Sequence, residues 1–140
     1  MHEEAYSLHF GVRDYECDMQ GIVNNAVYQN YFEHTRHEYI KTLGLDFAAL
    51  TQAGIHVVVA RAELDYLRPL KSGDQFQVQL RPFRLGKVRV VFDMGIYQEG
   101  ELHVRGRFFC AAMQENGRPC RDLSALAPLL EQCQPWPANS

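Results

Sequence analysis

The sequence predicts an α+β domain in which a five-stranded antiparallel sheet wraps around one long central helix. Three observations carry that expectation. Apolar and polar residues alternate along most of the chain, as they do in strands with one covered face. The apolar spacing switches to a period of about 3.6 in a single long stretch, from Asn25 to Leu43. Glycine-containing turns separate the later alternating segments, which leaves room for hairpins but not for crossover helices. The length of 140 residues is that of one domain, Met1 to Ser140, and 46% hydrophobic residues make the chain too apolar to be disordered.

Tyr6, Leu8, Phe10 and Val12 alternate with Ser7, His9, Gly11 and Arg13, predicting a first half-buried strand. A polar, turn-like stretch from Asp14 to Gly21 follows. The helix is expected over 25–43, with an asparagine cap at its start and Gly44 at its C′ position, a length of roughly 27 Å. Tyr28, Tyr31, Phe32, Thr35, Tyr39, Ile40 and Leu43 form its apolar stripe, opposite Asn30, His34, His37 and Lys41. From Ile55 onward four strands are expected. Ala60 to Tyr66 alternates, and Pro69 with Gly73-Asp74 forms a turn. Phe76, Val78 and Leu80 then lead to a turn at Leu85-Gly86. Val88 to Ile96 turns at Glu99-Gly100, and Leu102 to Ala112 ends at Asn116-Gly117. A last helix is expected over Leu123 to Gln132 with Asp122 as its cap, and the ends, residues 1–5 and 134–140, are expected to be loose. One long helix wrapped by an antiparallel sheet in the order β-α-β-β-β-β is the hotdog arrangement.

Fourteen basic against seventeen acidic residues, a formal charge of −3, give no electrostatic reason to expect nucleic-acid binding. The longest apolar run, Ile55 to Ala60, is interrupted by His56 and is far short of a membrane span. The N-terminus has neither a basic n-region nor an apolar h-region, so the expected location is the cytoplasm. Cys17, Cys110, Cys120 and Cys133 lack metal-type spacing and are expected to be free thiols.

The residues from Val12 to Tyr28 concentrate the polar groups between a strand end and a helix start. A helix N-terminus offers unpaired N–H groups and a positive dipole end, which suit a developing oxyanion. A carboxylate just upstream can attack the same carbonyl, or activate water to do so. Asp18, six residues before Asn24, is the candidate, although on spacing alone an aspartate that shapes the turn or matches the helix dipole is the stronger reading.

From Asp18 to Glu38 the chain reads D-x-x-G-I-V-N-N-x-x-Y-x-x-Y-F-E-x-x-R-x-E. This resembles the signature of hotdog-fold acyl thioesterases of the 4-hydroxybenzoyl-CoA thioesterase type. The longer run from Val12 to Gly44 is similar to the acyl-ACP thioesterase branch, which includes plant methylketone-forming and acyl-lipid enzymes. The resemblance implies that Asp18 is the catalytic carboxylate and that the backbone N–H of Asn25 polarises the thioester carbonyl, with no cofactor and no metal. Some relatives carry histidine where this chain has Asn25, so the role of that side chain stays open. Asn24 or Asn25 is placed equally well to hydrogen-bond substrate or to cap the helix. The resemblance further implies an acyl-CoA or acyl-ACP substrate, a place in fatty acid metabolism, and assembly as a homodimer or homotetramer. A single hotdog sheet also leaves an edge to be covered.

Tyr28, Tyr31 and Phe32 are expected to border the acyl group, though core packing accounts for them equally. Arg84, Lys87 and Arg89, clustered about Gly86, are the candidates for binding the carrier's phosphates or an acidic carrier protein. Glu33 is the fallback carboxylate, and Arg36 at i+3 is expected to pair with it in a partly buried ion pair. His34 and His37 lie on the polar face in the order H-x-x-H-E, which is not a zinc motif, and no histidine is placed to activate Cys17. Two other readings differ in chemistry. A hotdog hydratase or dehydratase needs a catalytic histidine, and His9 is the only one near that end. The presence of Asp18 counts mildly against a non-catalytic acyl-CoA-binding protein.

Overall fold

The computed structural model describes residues 5–137. Its strands are β1 (Tyr6–Gly11), β2 (His56–Tyr66), β3 (Gln75–Leu85), β4 (Arg89–Gln98), β5 (Glu101–Met113) and the two-residue β6 (Gln134–Pro135). The helices are α1 (Asn25–Thr42), α2 (Phe47–Gln52) and α3 (Ala127–Leu130). The sheet order is β1-β3-β4-β5-β2, every neighbouring pair antiparallel, with β6 added in parallel beside β3. The hairpins β3-β4 and β4-β5 are local, whereas β1 must find β3 and β2 must find β5 across intervening chain. This is the expected hotdog fold, and α1 begins and ends where its cap signals lie: Asn24 Oδ1 accepts from the Ala26 N–H, and Gly44 has φ of 78°.

The expected apolar stripe of α1 is its buried face. Phe32 is 0% exposed, and its ring lies 5.2 Å from that of Phe108 on β5. Tyr31 contacts Phe10 of β1 and Phe76 of β3, so the helix spans the inner face of the sheet from β1 to β5. Gly106 makes this packing possible, because a Cβ there would stand 2.6 Å from the Phe108 ring and 3.1 Å from that of Phe32. Coverage thins at β2, where Val57 and Leu64 pack partly against the core and the Tyr66 ring lies 5.7 Å from that of Tyr28. On this strand Val58, Val59 and Tyr66 remain exposed, and its backbone is paired on the β5 side alone.

Four features depart from the sequence reading. The helix α2 was not expected, because it is too short to show a period; Asp46 caps it and only Leu50 is buried. The expected helix over 123–132 is a 3-10 turn at Ser124–Leu126 followed by the single turn α3, because Pro128 lacks the N–H that a helix interior needs. Asp122 still accepts from the Ser124 N–H. Gln134 to Trp136 are ordered, not loose. The Trp136 N–H donates to the Arg84 carbonyl at 2.8 Å, and its indole packs edge-on against Phe83 and Phe109 on the outer face of the sheet. That cover explains why Val91, which points outward from β4, is 0% exposed. Residues 1–4 and 138–140, also expected to be loose, lie outside the described residues. The expected Glu33–Arg36 ion pair is the fourth: among the described residues no such bridge forms. Instead the buried Arg36 guanidinium stacks over the Phe108 ring at 4.3 Å, with its Nη1 lacking an acceptor.

Candidate active site

The chain between β1 and α1 is a pinned loop made of two turns. A 3-10 turn, Asp14–Glu16, is followed by a small closed loop in which Cys17 bridges Val23 and the Asp18 N–H donates to the Ile22 carbonyl at 2.9 Å. Gly21, at φ of 80°, makes the return possible. The segment linking β2 to β3 holds this loop from the sheet side. The Val12 N–H donates to the Asp74 carbonyl, the Val23 N–H to the Leu70 carbonyl, and the Ser72 hydroxyl to the Asp14 carboxylate.

Asp18 therefore projects one residue beyond the bridge that abuts the helix start. Its Oδ1 accepts from the Gln20 N–H at 2.8 Å, among the described residues no donor reaches Oδ2, and the residue is exposed. At the helix start the Ala26 N–H is taken by Asn24 Oδ1 and the Val27 N–H by the Asn24 carbonyl. Among the described residues the Asn25 N–H has no acceptor, leaving an oriented donor at the positive end of an 18-residue helix. Asn24 thus uses its side-chain oxygen as an N-cap, and the Asn25 side chain is exposed.

The other candidates separate into three groups. Tyr28, Tyr31 and Phe32 are 2%, 5% and 0% exposed and belong to the core cluster. The Tyr28 hydroxyl accepts from the Leu70 N–H at 3.0 Å and the Tyr31 hydroxyl donates to Glu16 Oε1 at 2.8 Å, so two of the three brace the loop and its neighbour. Burial pushes both phenols upward in pKa, so they stay protonated. Glu33 is exposed about two turns along α1. Arg84, Lys87 and Arg89 lie elsewhere. Arg84 and Lys87 border an open cleft of about 900 Å³ with Arg121 and Glu131, and Arg84 donates to the Lys87 carbonyl. Gln75, at the start of β3, pairs with Gly11 beside the loop, while Leu85 ends β3 at the far side. Ten steps at ~3.3 Å put the basic hairpin up to about 33 Å along the strand from the loop end of the same chain.

Cys17 is held as a thiol: partial burial and the neighbouring Asp14 and Asp18 carboxylates push it up. Among the described residues no group of histidine, cysteine and carboxylate side chains is arranged to hold a metal. His9 lies on the face of β1 opposite Phe10 and bonds to Gln75 Oε1 at 2.9 Å. Glu16 was not anticipated from the sequence, and its carboxylate accepts from both the Arg13 N–H and the Tyr31 hydroxyl, each at 2.8 Å.

Comparison with known proteins follows the same lines. Residues 12–138 match the thioesterase-like superfamily. The chain is 36% identical over 107 residues to the chloroplastic acyl-acyl carrier protein thioesterase ATL3 of Arabidopsis thaliana, which covers 74% of this chain and 56% of the plant protein. It is 33% identical over 88 residues to a putative esterase of Aquifex aeolicus, covering 63% of this chain and 69% of that one. The chain therefore spans a little over half the length of the plant relative. A crystal structure of a hypothetical protein from Aquifex aeolicus superimposes with a TM-score of 0.82 at 25% identity, covering 89% of this chain and 98% of that one. A 1,4-dihydroxy-2-naphthoyl-CoA thioesterase from Synechocystis superimposes equally well at 15% identity, covering 88% and 93%, and so shares the fold.

Proposed function

The chain belongs to the thioesterase-like superfamily, and from that premise we propose that it hydrolyses an acyl thioester of coenzyme A or acyl carrier protein to the free acid and thiol. The observation that carries the reading is the Asn25 N–H without an acceptor, at the start of a long helix whose preceding loop holds Asp18. The Asn25 amide receives the carbonyl oxygen as negative charge develops on it. Asp18 either attacks the carbonyl carbon or takes a proton from the water that does. The C–S bond then breaks and the electron pair leaves with sulfur; where Asp18 has attacked, water hydrolyses the acyl–Asp18 anhydride, which releases the free acid and restores the carboxylate. A thiolate needs little protonation to depart, so one carboxylate and one oriented amide suffice.

The plant relatives are named for acyl carrier protein thioesters, which places those substrates beside acyl-CoA in the test. Purified protein is expected to release free thiol from a panel of acyl-ACP and acyl-CoA thioesters, read with a thiol-reactive dye. Saturable binding without thiol release would instead identify an acyl-binding protein. Addition of water to an enoyl thioester would identify a hydratase, a reading that the outward position of His9 disfavours.

The working unit is a homodimer joined along β2, alone or paired into a tetramer. Among the described residues the exposed large hydrophobics are Tyr15, Met19, Val58, Val59, Tyr66 and Leu67, all on the loop or along the β2 edge. Arg36 stands on the side of α1 toward that edge with Nη1 unpartnered. Antiparallel pairing of two β2 strands sets the start of one against the end of the other. The Arg84–Lys87–Arg89 hairpin of one copy then lies at the same end of the dimer as the Asp18 loop of the other, where it meets the carrier's phosphates. Val59→Lys, a charge on the free edge, is expected to shift the protein to monomer in size-exclusion chromatography with light scattering. An unchanged mass would rule out β2 as the interface.

A further inference from the structure

We propose that Glu16 is a positioning residue for thioester hydrolysis: its carboxylate clamps the Asp18 loop to α1 and so fixes Asp18 relative to the Asn25 N–H. The inference rests on the thioesterase reading. The attachments of the loop fall into two sets. Those to the β2-β3 link, through Val12, Asp14 and Val23, fix the loop to the sheet side, and that link reaches α1 indirectly, through the Leu70 N–H that donates to the Tyr28 hydroxyl. Glu16 makes the second set. Its backbone carbonyl accepts from the Asn24 N–H at 3.0 Å, immediately before the helix. Its Oε1 accepts from the Arg13 N–H, at the start of the 3-10 turn, and from the Tyr31 hydroxyl, which is 5% exposed and six residues into α1.

One carboxylate oxygen thereby joins the beginning of the loop to the second turn of the helix, and Asp18 follows two residues later. The Asn25 amide is carried by that same helix, so a slip between loop and helix changes the separation of the two groups directly. A misplacement of about 1 Å in such a pair costs on the order of 10²-fold in rate. A buried phenol without an acceptor is also unfavourable, so Tyr31 holds the carboxylate as firmly as the carboxylate holds the loop.

The chemistry of the clamp makes it separable from charge and from folding. Oε1 is used as an acceptor by two donors, and a glutamine places a carbonyl oxygen at the same point. The test compares Glu16→Ala, Glu16→Gln and Tyr31→Phe by steady-state thiol release, with far-UV circular dichroism as a check of fold. Glu16→Ala is expected to lower kcat by about 10²-fold with KM little changed, and Glu16→Gln to restore most of it. Tyr31→Phe removes one of the two bonds and falls between; combined with Glu16→Ala it adds nothing further. Should Glu16→Ala fail to fold, the Tyr31→Phe and Glu16→Gln pair carries the same comparison. A folded Glu16→Ala with wild-type kcat overturns the clamp, as does a Glu16→Gln as slow as the alanine variant. Absence of thiol release by the wild-type protein overturns the thioesterase reading itself, and the clamp with it.

Discussion

Asp18→Asn is expected to lower kcat for thioester hydrolysis by about 10³-fold, the scale of losing a carboxylate that attacks or moves a proton in the transition state. The substitution is mild structurally. Asp18 is exposed, and its Oδ1 accepts from the Gln20 N–H, a bond that an amide oxygen can also accept. Thermal stability should stay close to wild type, and thioester binding should survive, because the Asn25 amide and the apolar surroundings are unchanged. Retention of wild-type turnover would remove Asp18 from the mechanism and direct attention to Glu33. A single turnover of wild-type enzyme in ¹⁸O-labelled water adds the chemical route: label entering Asp18 identifies a carboxylate that attacks the carbonyl itself.

The second large effect is on the core. Phe32→Ala is expected to destabilise the protein by about 4 kcal/mol, since deleting a buried aromatic ring removes its transfer energy and leaves a cavity. That corresponds to a fall of roughly 10 °C in the thermal midpoint for a domain of this size. Relaxation into the gap is limited. The facing Phe108 is itself buried, and Gly106 offers no side chain to fill the space. A urea titration read by tryptophan fluorescence measures the change, as Trp136 sits on the other face of the same sheet. A ring that bordered the acyl chain instead would leave the midpoint nearly unchanged and alter chain-length preference. The 0% exposure of Phe32 argues for the first outcome.

Much of this fold was legible because its signals are periodic and local. The stripe from Tyr28 to Ile40 and the alternation of Phe76, Val78 and Leu80 each repeat often enough to identify an element and its buried face. The capping asparagine and Gly44 set the ends of α1. The pair Gln134–Pro135 has no period to read, and what orders it is a tryptophan packing on residues brought together only by the folded sheet. Arg36 shows a different limit. A helical wheel gives its neighbours on α1, so Glu33 appears as its partner, but the contact that it makes is with Phe108, 72 positions away on β5.

The candidate site was marked in the sequence in one part and hidden in another. Asp18 and Asn25 were marked by a short motif on contiguous chain. Glu16 carries its meaning through Tyr31, and nothing in spacing shows that a loop carboxylate reaches a buried phenol. The basic hairpin was recognised as a cluster, and the length of β3 alone was enough to separate it from Asp18 within one chain. The dimer proposed above would bring it to that site across the β2 edge, where the exposed Val58 and Val59 look like any half-buried strand in sequence.

The pairing of the loop with the β2-β3 link also governs when the site comes into being. Val23 waits for Leu70 and Val12 for Asp74, while β1 has no strand partner before β3. A nascent chain that has already emitted α1 must hold its aromatic stripe without a sheet to cover it until dozens more residues have emerged. Closing loops of that length is slow compared with forming the β3-β4 and β4-β5 hairpins. The expected order of assembly is therefore hairpins first, then docking of β1 and α1, with the loop that bears Asp18 among the last parts to set. Chaperone demand and aggregation during synthesis should peak in that interval.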